Sequence, residues 1–326
     1  MSSNGFEKDT ENIKNVENID NNENAENSEA TAKSGESCGE SCGESCGESC
    51  GSSCSGCSSY KNGGCNEGKK NPFLAELNDK SSIKNIIAVM SGKGGVGKSF
   101  ITASLALKYA KMGYKVGILD ADVTGPSIPK MFGIHKLAGA DGKLIYPEVS
   151  KEGIKIISVN IIIEDETEPV VWRGPIISGV IKQFYGDVCW GDLDYLFIDM
   201  PPGTGDVPLT VFQSIPVAGA VMVITPQELV ELIVTKAVNM TEKMNVRILG
   251  MVENYSYITC PDCGKKIEVF GKSSGEKVAD KLGIKLLGKL PIMPEIAESV
   301  DEERFEEGDI SYIDEIYENL KEAENQ

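Results

Sequence analysis

Long apolar runs are missing from this chain, and so is a basic leader. No stretch of about eighteen apolar residues is available to span a bilayer. The N-terminus is polar rather than a basic segment followed by an apolar core, so no secretory signal is expected either. Histidine is nearly absent: His135 is the only one, and a lone histidine in a loop reads as structural. A basic stripe is lacking too, since 32 Lys and Arg face 50 Asp and Glu for a net charge of -18, a poor match to the nucleic-acid backbone. The segment Ile310 to Leu320 is acidic on its polar side, which argues against anionic membrane surfaces. Aliphatic residues are scarce up to about Lys80, where acidic residues outnumber basic ones 15 to 7; such a stretch cannot bury enough apolar surface to offset chain entropy. Residues 1–80 are therefore expected to be a disordered, acidic, cysteine-rich tail and linker, and 81–326 a single folded domain. The expected location is the cytoplasm, with neither nucleic acid nor membrane as partner.

Cysteine, by contrast, is plentiful, with ten in the chain. In a reducing compartment metal ligation is the better default than disulfides. Cys38, Cys42, Cys46 and Cys50 recur in a Ser-Cys-Gly-Glu repeat, followed by Cys54, Cys57 and Cys65. A glycine in every repeat costs about 1 kcal/mol relative to alanine in a helix, so the stretch reads as a flexible thiol-rich ribbon. Cys189, beside Trp190, reads as a buried small apolar residue.

From Ile83 onward apolar runs alternate with amphipathic segments, the pattern of β-α units and an α/β, doubly wound, mostly parallel sheet. Strands are expected up to Met90, at Lys115 to Leu119, near Ile154 to Val159, at Tyr195 to Ile198, Ala218 to Ile224, Arg247 to Val252 and Lys285 to Leu290. Helices are expected from Gly97 to about Met112, Pro175 to Tyr185, Leu229 to Met244 and Ile310 to Leu320. The turn Asp141-Gly142 suggests a hairpin between the second and third strands.

Directly after the run Ile86-Ile87-Ala88-Val89 comes Ser91-Gly92-Lys93-Gly94-Gly95-Val96-Gly97-Lys98-Ser99. Gly92, Gly97, Lys98 and Ser99 satisfy G-x-x-x-x-G-K-[ST]. In that pattern backbone N–H groups wrap phosphates, the lysine neutralises them and the hydroxyl holds Mg²⁺. Lys93 is not required by it, and its place near the loop entrance suggests a charge that reaches beyond the subunit's own nucleotide. Asp199 leaves a strand at its carboxyl end, where a second carboxylate of the Mg²⁺ shell is expected, and Pro201-Pro202-Gly203-Thr204-Gly205-Asp206 after it suits γ-phosphate sensing. Asp120 and Asp122 also leave a strand end and should flank the same crevice; Asp122 is assigned to the attacking water and Asp120 to the Mg²⁺ shell. Arg173 could contact a partner or the nucleotide, or only shape a turn.

Cys260 and Cys263 form Cys-Pro-Asp-Cys-Gly, a knuckle that lets two thiolates grip one metal or one cluster edge. A four-thiolate site needs two more ligands, and no second pair follows in the folded domain. A two-fold dimer would supply them; a zinc site completed by tail cysteines and a redox dithiol are the alternatives.

With these residues in hand, the chain resembles the Mrp-type (ApbC-like) iron–sulfur cluster carrier ATPases, in the P-loop group with a deviant phosphate loop that includes MinD, ParA and nitrogenase iron protein. The likeness runs from about Ile83 to the last helices. It rests on the phosphate loop, on Asp120-Ala121-Asp122-Val123-Thr124-Gly125-Pro126-Ser127, Val171-Trp172-Arg173-Gly174-Pro175, Asp194 to Asp206, Thr225-Pro226-Gln227-Glu228, and Val252-Glu253-Asn254 followed by the cysteine pair. The resemblance implies a homodimer that closes over ATP, with Lys93 reaching the other subunit's nucleotide. It also implies Asn254 reading adenine, Pro291 near the base, and Cys260 and Cys263 bridging a [4Fe–4S] cluster between subunits. An ATPase that takes a cluster from an upstream donor and passes it to apo iron–sulfur proteins follows from that likeness. The tail departs from the eukaryotic branch, whose cysteines are spaced C-x13-C-x2-C-x5-C; here seven residues separate Cys57 from Cys65. Two other functions stay open: a positioning ATPase of the MinD or ParA kind, and a nucleotide-regulated zinc-binding module.

Overall fold

The computed structural model describes residues 74–122, 125, 127–162, 174–226, 230–271, 273 and 275–326. The cysteine ribbon from Cys38 to Cys65, the motif residues Val123, Thr124 and Pro126, Val171-Trp172-Arg173, and Gln227-Glu228 lie outside them.

Three apolar runs build the middle of the sheet. β8 (Gly219–Ile224), most of β7 (Asp192–Asp199) and the last six residues of β1 (Ser82–Ser91) are buried, as expected of parallel strands covered on both faces. β1 lies between β7 and β8, parallel to both. β2 (Val116–Asp120) adds to β7 and β6 (Lys155–Ile157) to β2, both in parallel, and the two-residue β5 (Glu148–Val149) closes that side antiparallel. On the other side β9 (Ile248–Thr259) runs parallel to β8, and it carries both the parallel β11 (Leu286–Pro291) and the antiparallel β10 (Lys266–Ile267). β3 (Gly139–Ala140) and β4 (Ile145–Tyr146) form the small hairpin foreshadowed by Asp141-Gly142. The chain therefore starts in the centre and works outward in both directions. The carboxyl ends of β1, β2 and β7 meet at the reversal point, where doubly wound sheets bind ligands.

The helices cover the sheet: α1 (Lys98–Lys111), the single turn α2 (Ile128–Met131), α3 (Gly174–Gly186), α4 (Asp206–Ser214), α5 (Val230–Lys243), α6 (Gly275–Leu282), α7 (Pro294–Asp301) and α8 (Asp314–Glu324). α1 is packed hard against the sheet, with Ile101, Ala103, Leu105, Ala106 and Leu107 fully buried. α7 is the opposite case, with no buried residue at all. Surface pairs near its C-terminal end, Lys130 to Asp301 at 3.1 Å and His135 to Glu303 at 2.7 Å, tie that end to α2 and the loop after it.

Two elements differ from the sequence reading. β9 does not end at Val252 but continues to Thr259. Glu253-Asn254-Tyr255 reads as a polar loop, yet the structure finds partners for the Glu253 carboxylate and the Asn254 amide N–H within the fold. Ser256 donates to both the carbonyl and the carboxylate of Glu253, at 3.0 and 2.9 Å, and β11 pairs alongside as far as Tyr257. The cost appears as an irregularity: Lys289 faces Glu253 while Pro291 faces Tyr257, and Tyr255 takes φ 58°. Extra residues opposite a shorter partner are the mark of a bulge. Cys189 is half-buried rather than buried. Among the described residues no helix is long and apolar enough to cross a membrane.

Candidate functional site

The crevice forms where β1 turns into α1. Gly95 and Gly97 take φ 76° and 80°, a region that side chains with a Cβ avoid. Gly97 is needed for space as well: a Cβ there would lie 2.2 Å from Asn254 Nδ2 and 3.0 Å from the Tyr255 hydroxyl. The loop is pinned at its start by Ser91 Oγ, which donates to the Lys93 carbonyl at 3.0 Å. Gly203 N–H, from the Pro-Pro-Gly-Thr-Gly-Asp segment, donates to the Ser91 carbonyl at 2.9 Å. The second motif is thereby stitched to the first.

Beneath the loop lies a charge cluster. Lys98, 5% exposed, places its Nζ 2.7 Å from Asp199 Oδ1 and 3.7 Å from Asp122 Oδ2. Asp199 also accepts from Ser99 Oγ at 2.5 Å and Thr102 Oγ1 at 2.8 Å. Thr102, four residues after Lys98, shares its helix face, a spacing in the sequence that could have flagged it. Asp120 sits one layer deeper than expected: 1% exposed, it accepts from the Asp122 N–H at 3.1 Å and the Ser158 hydroxyl at 3.2 Å. Burial, joined by the neighbouring Asp199 charge, pushes Asp120 well above the usual carboxylate range against the pull of Lys98. Burial raises Asp199 as well, opposed by Lys98 and the two hydroxyls.

Above this cluster is a cavity of about 330 Å³ lined by Lys93, Lys98, Ser99, Asp122, Ser127 and Pro202. Phe100, Met131 and Tyr255 wall both this space and a second, apolar one of about 360 Å³, where Asn254 meets Pro291, Met293 and Ile296. Asn254 is fully buried; its Nδ2 donates to the Val96 carbonyl at 3.0 Å, while its Oδ1 has no partner among the described residues. An unpaired buried acceptor costs about 1–3 kcal/mol, so a ligand N–H fits there. Asn254 and Pro291, expected from the resemblance to lie near the base, line one cavity together with Phe100, Met131 and Tyr255, which carry no motif.

The cysteine pair lies on the same strand. Cys260 follows β9 directly, in the turn to β10, about 20 Å along the strand from Asn254 at roughly 3.3 Å per residue. Cys260 N–H donates to the Lys265 carbonyl at 3.0 Å and its carbonyl accepts from Gly264 N–H at 2.9 Å. The backbone N–H groups of Cys263 and then Asp262, followed by the Cys263 thiol, hold the Cys260 thiol below its ordinary value, the condition for a metal-binding thiolate. Cys260 is half-buried and Cys263 exposed. Among the described residues no group of three or more His, Cys, Asp or Glu is placed to hold a metal ion, so the pair offers two ligands only.

A family model described as ParA: NUBPL iron-transfer P-loop NTPase matches residues 82–323. The chain belongs to this iron-transfer P-loop NTPase family. An iron-sulfur cluster carrier protein of Clostridium perfringens is 48% identical over 261 residues, spanning 77% of this chain and 90% of that protein. One from Methanocaldococcus jannaschii is 49% identical over 225 residues, spanning 68% and 77%. Among solved structures, a nucleotide-binding protein of Archaeoglobus fulgidus in complex with ADP superposes with a TM-score of 0.62 at 46% identity, covering 69% of this chain and 88% of that one. MinD of Aquifex aeolicus, at 19% identity and a TM-score of 0.52, shares the fold.

Proposed function

We propose that this iron-transfer NTPase binds and hydrolyses ATP as a homodimer and carries a labile [4Fe–4S] cluster for delivery to apo-proteins. The observation that carries the reading is that a single strand, β9, holds the unpaired Asn254 acceptor in the base cavity and presents Cys260 and Cys263 at its far end. ATP lies with its base against Asn254 and Pro291 and its phosphates in the loop from Gly92 to Ser99. Gly94, Gly95 and Val96 contribute backbone N–H groups, and Lys98 turns from Asp199 toward the phosphates. The Ser99 hydroxyl and Asp199 carboxylate, already in contact, are a hard oxygen pair suited to Mg²⁺; the ion, when bound, neutralises charge on the phosphate oxygens. Asp122, on the cavity wall, orients the attacking water, and Asp120 holds Asp122 in place through its N–H. Lys93 serves the partner's nucleotide, so that hydrolysis alters how two subunits meet. Cys260 and Cys263 then grip the cluster as cargo, two thiolates from each subunit. Residues 74–80, expected to be linker, join the domain instead: Ala75 N–H donates to the Ser214 carbonyl at 2.8 Å, and Asn78 Nδ2 to the Gly186 and Val188 carbonyls, each at 2.8 Å.

Anaerobic reconstitution with iron and sulfide tests this. Visible sulfur-to-iron absorption should appear and be abolished by Cys260→Ala or Cys263→Ala. Unchanged absorption and transfer in those variants, or native protein that holds zinc without acid-labile sulfide, would sink it.

A further inference from the structure

Thr102 belongs to the charge cluster beneath the loop, yet the nucleotide reading gives its hydroxyl no task. It stands one turn along α1 from Lys98, fully buried, and is not among the residues that line the phosphate cavity. Any part it plays in that cavity therefore runs through a neighbour.

Two acceptors compete for it. Thr102 Oγ1 lies 2.8 Å from Asp199 Oδ1 and 3.0 Å from the Lys98 carbonyl oxygen, and a hydroxyl has a single hydrogen to give. Each acceptor also has another donor. An α-helix brings the backbone N–H four residues on to a carbonyl such as that of Lys98, and the Lys98 ammonium reaches Asp199 Oδ1 at 2.7 Å. The second carboxylate oxygen, Oδ2, is held separately by the Ser99 hydroxyl at 2.5 Å. As long as Lys98 stays on Asp199, both acceptors are served wherever the Thr102 hydrogen points.

That balance changes once Lys98 turns to the phosphates. Asp199 is fully buried, and a buried acceptor left without a donor is destabilising, the more so when it is charged. Among the described residues, Thr102 is the donor to Oδ1 that stays behind. Its flanking residues Ile101 and Ala103 are fully buried, so its backbone is fixed, whereas Lys98 swings on a flexible four-carbon stem.

We propose that Thr102 is a positioning residue of the nucleotide site: its hydroxyl turns from the Lys98 carbonyl to Asp199 Oδ1 as Lys98 leaves, and so keeps the carboxylate in the orientation that holds Ser99. This rests on the reading above that phosphates draw Lys98 off Asp199, and it adds the group that takes the place of the lysine. The hydroxyl then contributes little while Lys98 is in place and much once it has gone. Its effect appears in nucleotide binding rather than in folding.

The test uses two variants of the full chain. Thr102→Val removes the hydroxyl and keeps the branched shape; Thr102→Ser keeps the hydroxyl and removes the methyl. Titration calorimetry with magnesium present gives ATP affinity, and urea denaturation gives the stability of the nucleotide-free protein. Thr102→Val should bind ATP about tenfold more weakly, the order expected when one buried acceptor loses its donor. Its nucleotide-free unfolding constant should change by less than about fourfold, because Asp199 retains Lys98. Thr102→Ser should bind ATP within about twofold of the native protein, since the donor is restored. Equal ATP affinity in Thr102→Val and native protein overturns the proposal and leaves the nucleotide reading standing. A Thr102→Val chain that does not fold, or that loses stability as much as affinity with Thr102→Ser no better, makes the residue a packing element and also overturns it. Native protein that binds no ATP defeats the nucleotide reading, and the proposal with it.

Discussion

The two sites that β9 carries, one beside Asn254 in its middle and one just beyond Thr259, are built on opposite plans. Around the nucleotide loop the charged groups are buried and matched inside one chain: Lys98 against Asp199, Asp199 against two hydroxyls, Asp120 against Ser158 and the Asp122 N–H. At the cysteine hairpin everything from 261 to 271 is exposed, and among the described residues no third His, Cys, Asp or Glu joins the pair. The first site is preorganised and pays in stability if disturbed; the second is cheap to alter and loses only function.

Breaking the first site should have the largest effect. Lys98→Ala leaves Asp199 and Asp120 buried without their cation, and loss of one partner of a buried pair costs about 3 kcal/mol; urea denaturation should register that loss, and calorimetry should find no ATP binding. Asn254→Ala comes next. It orphans the Val96 carbonyl and removes the acceptor for the base, so ATP affinity should fall about tenfold, equivalent to about 1.4 kcal/mol, with a smaller drop in stability. At the second site, Cys263→Ala should change the unfolding free energy read by urea denaturation by less than about 0.5 kcal/mol, as exposed substitutions do, while removing the sulfur-to-iron absorption completely. A large destabilisation there would erase the contrast. Lys93→Ala sharpens the comparison most finely: nucleotide affinity should stay within about twofold by calorimetry, while turnover and ATP-driven dimerisation, read by sedimentation, fall. If binding is lost instead, Lys93 belongs to its own subunit's loop.

The central architecture was legible because parallel buried strands write themselves as unbroken apolar runs: β1, β7 and β8 were placed to within a few residues. The phosphate loop was legible for a different reason, since its glycines and lysine are demanded by close backbone approach. What stayed hidden depends on long-range pairing. The second half of β9 looks like loop because its polar residues find partners only in the folded chain, Val96 for Asn254 and Ser273 for Glu253 at 2.8 Å. Phe100, Met131 and Tyr255 are ordinary residues that become walls of a cavity only when α1, α2 and β9 converge. Asp120 and Asp122 are two residues apart in the sequence, yet only the structure separates the one that lines the crevice from the one that supports it.

The base cavity owes one whole side to α7, the helix with no buried residue. Elements with few core contacts open at the lowest free energy, independently of the global transition. Near its C-terminal end this helix is moored by the Lys130–Asp301 ion pair to α2, a surface bond of small worth that salt weakens further, and by the His135–Glu303 hydrogen bond to the following loop. That wall of the apolar cavity is therefore held less firmly than the sheet or the charge cluster below, and it should exchange its backbone amides with solvent well before the core does.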